Sequence, residues 1–170
     1  VIIANPAGIT CNGCGFINAD KALLSAGKTL IENGKVKGFD VDTGSINIVG
    51  KGYNGKGVNY TALIARSVNI NAKLHAKDLD ITSGKKTVKA NGKTVIKMDN
   101  FANEEKPEFA LDVAALGGMY ANTIKMRGTE HGVGVRNAGH IGAQAGDITL
   151  SAEGKIGNSG VITASQNIAL

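Results

Sequence analysis

The chain has 170 residues, 42% of them hydrophobic, enough for one domain that buries about 70% of its unfolded surface. Its core must be built almost without rings, since it holds no Trp, three Tyr and four Phe against 24 Gly and two Pro, a balance that suits many thin layers of Val, Ile, Leu and Ala better than one thick centre. The net charge of +5 comes from scattered lysines without interleaved aromatics, which argues against nucleic-acid binding and leaves a solvated face or weak attraction to an acidic surface such as an anionic glycan.

The opening Val1-Ile2-Ile3-Ala4 runs into a turn without a charged lead, unlike a signal peptide. It reads as a strand already in progress, so a piece of something longer is expected. No stretch approaches the ~20 apolar residues of a membrane helix. Next comes "NPAGITCNGCGFIN", Asn5 to Asn18. Pro6 pre-sets φ for a sharp corner and Gly8 permits a bend closed to other residues.

Cys11 and Cys14 admit several chemistries. A structural zinc site needs four ligands, and His75, His131 and His140 lie far downstream without metal-ligand spacing. A thioredoxin-type centre wants a βαβ setting that is missing. A local disulfide across Asn12-Gly13 is the best reading for an exported protein. It would shape a turn and add little global stability, because its loop is short. Two free buried thiols remain the alternative.

Residues 19–33, "ADKALLSAGKTLIEN", could place Ala22, Leu23, Ala26 and Leu30 on one helical face. Gly27, Thr29 and Ile31 weaken that helix, and "KTLIENGKVKGF" favours a hairpin about Asn33-Gly34. "SINIV" at 45–49 alternates as a strand. Behind it, Gly50, Gly52 and Gly55 satisfy G-x-G-x-x-G, but no helix opens there and no acidic residue follows at the required distance. The match is a turn.

Alternation continues in 67–76, 78–81, 123–126 and 147–150. Residues 84–109 break it, being rich in Lys, Glu and Asn, with a hairpin expected about Asn91-Gly92. This segment leaves the repeated structure and returns at Leu111, and such loops are where recognition is often grafted. At the end, Ile148 and Leu150 recur as Ile168 and Leu170, and Ala143 recurs as Thr163, at intervals of 20. Ile48 to Val68 repeats that interval, and Ile124 to Ile148 stretches it to 24. Such a period is a solenoid signature. About 20 residues at ~3.3 Å each close as a triangle with sides of ~20 Å, stacked ~4.8 Å apart.

No carboxylates form an acid/base pair in sequence, and "NEEKPE" looks solvated. Asp40, Asp42, Asp78, Asp80 and Arg66 could serve a carbohydrate-active β-helix, but only by fold analogy. No catalytic, metal or cofactor site is expected.

The opening resembles the haemagglutination-activity domain of two-partner secretion (TPS) exoproteins, which include filamentous haemagglutinins, haemolysins and contact-dependent growth inhibition proteins of Gram-negative bacteria. Asn5-Pro6-Ala7-Gly8-Ile9 matches the family's Asn-Pro-x-Gly-Ile motif. Cys11-x-x-Cys14 followed by Gly15-Phe16-Ile17-Asn18 is similar to the haemolysin and growth-inhibition branch. "LHAKDLDITSG", "ALGGMYANTIKM" and "GVGVRNAGHIGAQAGDITLSAEG" resemble later parts of the same domain.

The resemblance implies a right-handed parallel β-helix with extrahelical hairpins, secreted to the cell surface and without catalysis. Its role would be a secretion address read by an outer-membrane Omp85-type transporter through periplasmic POTRA-type domains. The exoprotein would thread out unfolded, this domain nucleating the shaft. A direct adhesin contacting a target-cell receptor is the runner-up. Relatives carry a cap and another Asn-Pro motif before this opening, so residues 1–170 are expected to be the C-terminal portion of the domain. The missing part would be supplied by another segment or chain.

Overall fold

The computed structural model describes residues 1–89, 94–96 and 105–170. Regular structure among them is entirely β, as the alternation and the Gly-rich corners require. Coil one holds β1 (Ile2–Ala4) and β2 (Ile9–Gly15). Coil two holds β3 (Lys21–Ser25), β4 (Lys28–Glu32), β5 (Lys35–Val41) and β6 (Ser45–Asn54). Coil three holds β7 (Tyr60–Ala65), β8 (Ser67–Ile70) and β9 (Lys73–His75). Coil four holds β10 (Asp78–Ser83), β11 (Lys86–Lys89), β12 (Thr94–Ile96), β13 (Phe109–Val113) and β14 (Gly118–Ala121). Coil five holds β15 (Thr123–Gly128), β16 (Gly134–Asn137) and β17 (His140–Ala143), and coil six β18 (Ile148–Ser151), β19 (Ile156–Asn158) and β20 (Val161–Ala164). β21 (Ile168–Ala169) opens the next.

The coils stack in parallel as three columns, a parallel β-helix. Face one runs β1-β3-β7-β10-β15-β18-β21. Face two runs from the first half of β2 through β6, β8, β13 and β16 to β19, and face three from the ends of β2 and β6 through β9, β14 and β17 to β20. Inside, each column is a ladder of large hydrophobic side chains. Leu24, Leu63, Ile81, Met126 and Leu150 line up on face one. Ile46, Val68, Leu111 and Val135 line up on face two, and Tyr53, Leu74, Met119 and Ile141 on face three. All thirteen are buried. The narrow interior explains the scarcity of rings.

The expected intervals hold on face one, where Ile148 pairs with Ile168 and Ile124 with Ile148. They fail at two places. Ile48 pairs with Ile70, and it is Ile46 that pairs with Val68. Ala143 pairs with Ala164, and Thr163 with Gly142. Corners between faces take different numbers of residues from coil to coil, so a fixed period slips. The 67–76 strand likewise splits at Asn71-Ala72 into β8 and β9, because the coil turns from one face to the next there.

Residues 19–33 are strands, and β4 and β5 form the expected hairpin, with Asn33 at φ 51° and Gly34 at φ 71°, the left-handed pair a type I′ turn requires. β11 and β12 pair antiparallel, while Asn91-Gly92 lies outside the described residues. The two hairpins meet: β11 pairs antiparallel with β5, giving a four-stranded extrahelical sheet in the order β12-β11-β5-β4. Phe39, Val41 and Val88 from this sheet pack on Ile64, which points outward from face one.

An open cleft between sheet and face is bordered by Tyr60, Asp80 and Arg127. Burial, and then the neighbouring Asp80 carboxylate, whose Oδ2 accepts the phenol hydroxyl at 3.3 Å, push the Tyr60 pKa up to about 12. The neutral phenol is therefore favoured by folding. Its contribution is complete below the unfolded tyrosine pKa of ~10 and lost as pH rises from there through about 12. Phenolate absorbance should show one tyrosine titrating near that upper value, and Tyr60→Phe should remove it.

Candidate functional site

The Asn-Pro motif forms the first corner between faces one and two. Asn5 is tied to the coil by its backbone N–H, which donates to Ser25 O at 2.9 Å. Its side-chain Oδ1 accepts from Ala7 N at 3.0 Å, and its carbonyl accepts from Gly8 N at 3.0 Å. The side chain and the backbone thus close the same turn. Gly8 sits at φ 118°, and a Cβ there would also lie 3.0 Å from Ser45 O. Asn5, Pro6 and Ala7 are exposed, so the corner presents rigid backbone with three accessible side chains. Ile9 turns inward and pairs with Ile46.

The next corner, between faces two and three, carries the cysteines. Cys11 and Cys14 are joined by a disulfide with Cα atoms 5.5 Å apart. β2 bulges between Asn12 and Cys14, and Gly13 takes φ 79°. The Gly50-x-Gly52 segment of β6 follows this bulge one coil later. Gly50 and Gly52 have φ 56° and 75°, and Lys51 N donates to Asn12 Oδ1 at 2.9 Å. The apparent dinucleotide fingerprint is a corner, and its glycines make room for Asn12 and for the carbonyl of Lys73.

At the root of the extrahelical sheet lies a buried ionic cluster that pattern reading missed. Arg66 Nε and Nη2 donate to Glu130 at 3.1 and 2.8 Å, and both residues are less than 10% exposed. At the cluster's edge the buried Lys85 Nζ lies 2.9 Å from the solvent-exposed carboxylate of Asp42. Lys86, fully buried, donates from Nζ to the carbonyls of Thr82, Ala65 and Gly84 at 2.7, 3.1 and 3.2 Å. Burial pushes the Lys86 pKa well below the usual lysine range; Glu130 opposes that shift and Arg127 adds to it. The signal available in sequence was Gly84, which stands before Lys85-Lys86 at φ 110°. It marks a backbone kink at which a cation can turn inward on carbonyls.

The five residues weighed for carbohydrate chemistry are engaged in structural contacts. Asp40 accepts from Thr87 Oγ1 at 2.9 Å, and Asp42 and Arg66 belong to the root cluster. Asp78 accepts from Thr123 Oγ1 at 2.8 Å, and Asp80 from Tyr60. Asp78 and Asp80 lie on face one, whereas Asp40 lies in the hairpin strand β5 and Asp42 just after it. His75 and His140 are brought together across coils by Tyr120, whereas His131 lies apart in the loop before β16. Among the described residues no three of His, Cys, Asp and Glu gather as a metal site.

The TPS secretion domain profile matches residues 1–158. Over all 170 residues the chain is 50% identical to "Toxin CdiA" of Yersinia pestis. It is 46% identical over 158 residues, 92% of the chain, to "16S rRNA endonuclease CdiA" of Enterobacter cloacae. The chain spans 5% of the length of each of these relatives. The solved filamentous hemagglutinin secretion domain aligns with a TM-score of 0.75 at 26% identity, covering 99% of this chain and 63% of that one. With a profile matched across nearly its whole length and the same coil architecture as a solved secretion domain, the chain belongs to the TPS secretion domain family, the targeting part of large exported proteins.

Proposed function

We propose that this domain is the secretion address of a growth-inhibition-type exoprotein, read by an outer-membrane transporter through periplasmic POTRA-type domains. Asn5-Pro6-Ala7-Gly8-Ile9 is the segment read. The observation that carries this is the first corner: the motif's polar atoms close the turn while Asn5, Pro6 and Ala7 stay exposed.

The domain itself does no catalysis, and the nuclease functions named for relatives belong to proteins of which this chain spans only 5%. Its second role is to start folding outside the cell. Within the three columns each strand pairs only with the coil before and the coil after it, so a formed coil templates the next.

Asn5→Ala/Pro6→Ala tests the address. The lost side-chain bond costs the fold about 1 kcal/mol, so the domain stays folded. Export of the exoprotein with its transporter should nevertheless fail, with the protein retained in the periplasm and other secretion unchanged. Normal export of the double variant would remove the role assigned to these residues.

A further inference from the structure

We propose that face three carries a binding site for a linear acidic polysaccharide of the uronate type, laid along the coil axis across His75, Tyr120 and Gln144 and held by Lys56 and Lys77. The inference goes beyond the secretion role and does not depend on it.

The site is a cleft of about 330 Å³ whose lining includes Lys56, His75, Lys77, Tyr120, Asn122 and Gln144 and contains no carboxylate. Its residues come from successive layers. Lys56 follows β6, His75 and Lys77 come from coil three, Tyr120 and Asn122 from coil four, and Gln144 from coil five. Each layer is displaced by the strand spacing of ~4.8 Å. Polar groups therefore repeat along a straight line, and the natural complement is a chain molecule with one anionic group in every unit.

Charge sets the sign of the ligand. Lys77 Nζ donates one bond to the amide oxygen of Asn59 at 2.8 Å, and the Asp20 carboxylate is reached only through that amide, so Lys77 keeps two hydrogens to give. After burial, the charges of Lys56 and Lys73 are what lower the His75 pKa, so the cleft is positive before any ligand arrives.

Ring geometry then separates sugar from nucleic acid. His75 stacks on Tyr120 with centroids 5.2 Å apart at 22°, and His140 meets Tyr120 edge-on at 5.1 Å. One face of Tyr120 is thereby covered by His75, whereas single-stranded nucleic acid requires open aromatic faces for its bases. Asn122 and Gln144 are exposed, and their amides can both donate to and accept from hydroxyl groups.

Titration calorimetry of the 170-residue chain with oligogalacturonate tests this, with dextran and a single-stranded oligonucleotide as comparison ligands. Oligogalacturonate should bind, dextran should not, and the oligonucleotide should bind more weakly. Lys56→Ala/Lys77→Ala should weaken binding about tenfold, near 1.4 kcal/mol. The charge-matched Lys125→Ala/Lys155→Ala, at exposed positions away from the cleft, should leave it unchanged. Gln144→Ala should weaken binding with no change in charge. No binding of oligogalacturonate, equal losses in the two lysine pairs, an unaffected Gln144→Ala, or equal binding of dextran or oligonucleotide would each overturn the assignment.

Discussion

Arg66→Met lowers the stability of the domain by about 3–5 kcal/mol, the cost of leaving one member of a buried ion pair behind. Glu130 would keep its place in the root cluster, about 6% exposed, after losing both guanidinium bonds. Arg66→Met/Glu130→Leu should recover most of that loss, because replacing a buried pair with apolar groups of similar volume is often neutral. Recovery stays incomplete, since Lys86 loses the Glu130 field that opposes its desolvation. Urea unfolding of the three proteins checks the sequence of values. A loss under about 1 kcal/mol for the single variant would show that the pair acts as an exposed one does.

Leu111→Ala costs about 2–5 kcal/mol, the range for emptying a fully buried leucine site. Leu111 stands in the face-two ladder between Val68 and Val135 and has no exposed surface. The rungs above and below are held by backbone hydrogen bonds, so the space cannot close by collapse. Leu116→Ala, five residues on in an exposed corner where the residue is 89% exposed, should change stability by no more than about 0.5 kcal/mol. The same urea titration separates them, and equal effects would contradict a laddered interior.

Alternation and period made the solenoid legible, and a short, highly specific opening made the family legible. Ile148 and Ile168 revealed the repeat because the coil between them runs at the 20-residue interval, and Ile124 stands in the same column although its coil is four residues longer. Ile48 misled because its corner to the next layer is two residues longer than the period allowed. The glycine triplet at 50–55 was correctly set aside, since a corner and a phosphate loop both need left-handed backbone and only the following helix distinguishes them.

Beyond the glycine at 84, the burial of Lys85 and Lys86 left no mark in the sequence, for a different reason. Scattered lysines read as solvated, and nothing local says that two hairpins separated by a whole coil will fold over them. The His75, Tyr120 and His140 stack was hidden likewise, because its members lie in three separate coils and only vertical registry brings them together.

The pairing of β5 with β11 has a mechanical consequence. It fastens coil two to coil four over the top of coil three through the four registered pairs from Lys86↔Val41 to Lys89↔Gly38. An array that could otherwise fray one layer at a time acquires a latch spanning three layers. Under the proposed export through an outer-membrane transporter, the latch closes only after residues as far apart as Gly38 and Lys89 are both outside, and from then on backsliding requires tearing a sheet crosswise.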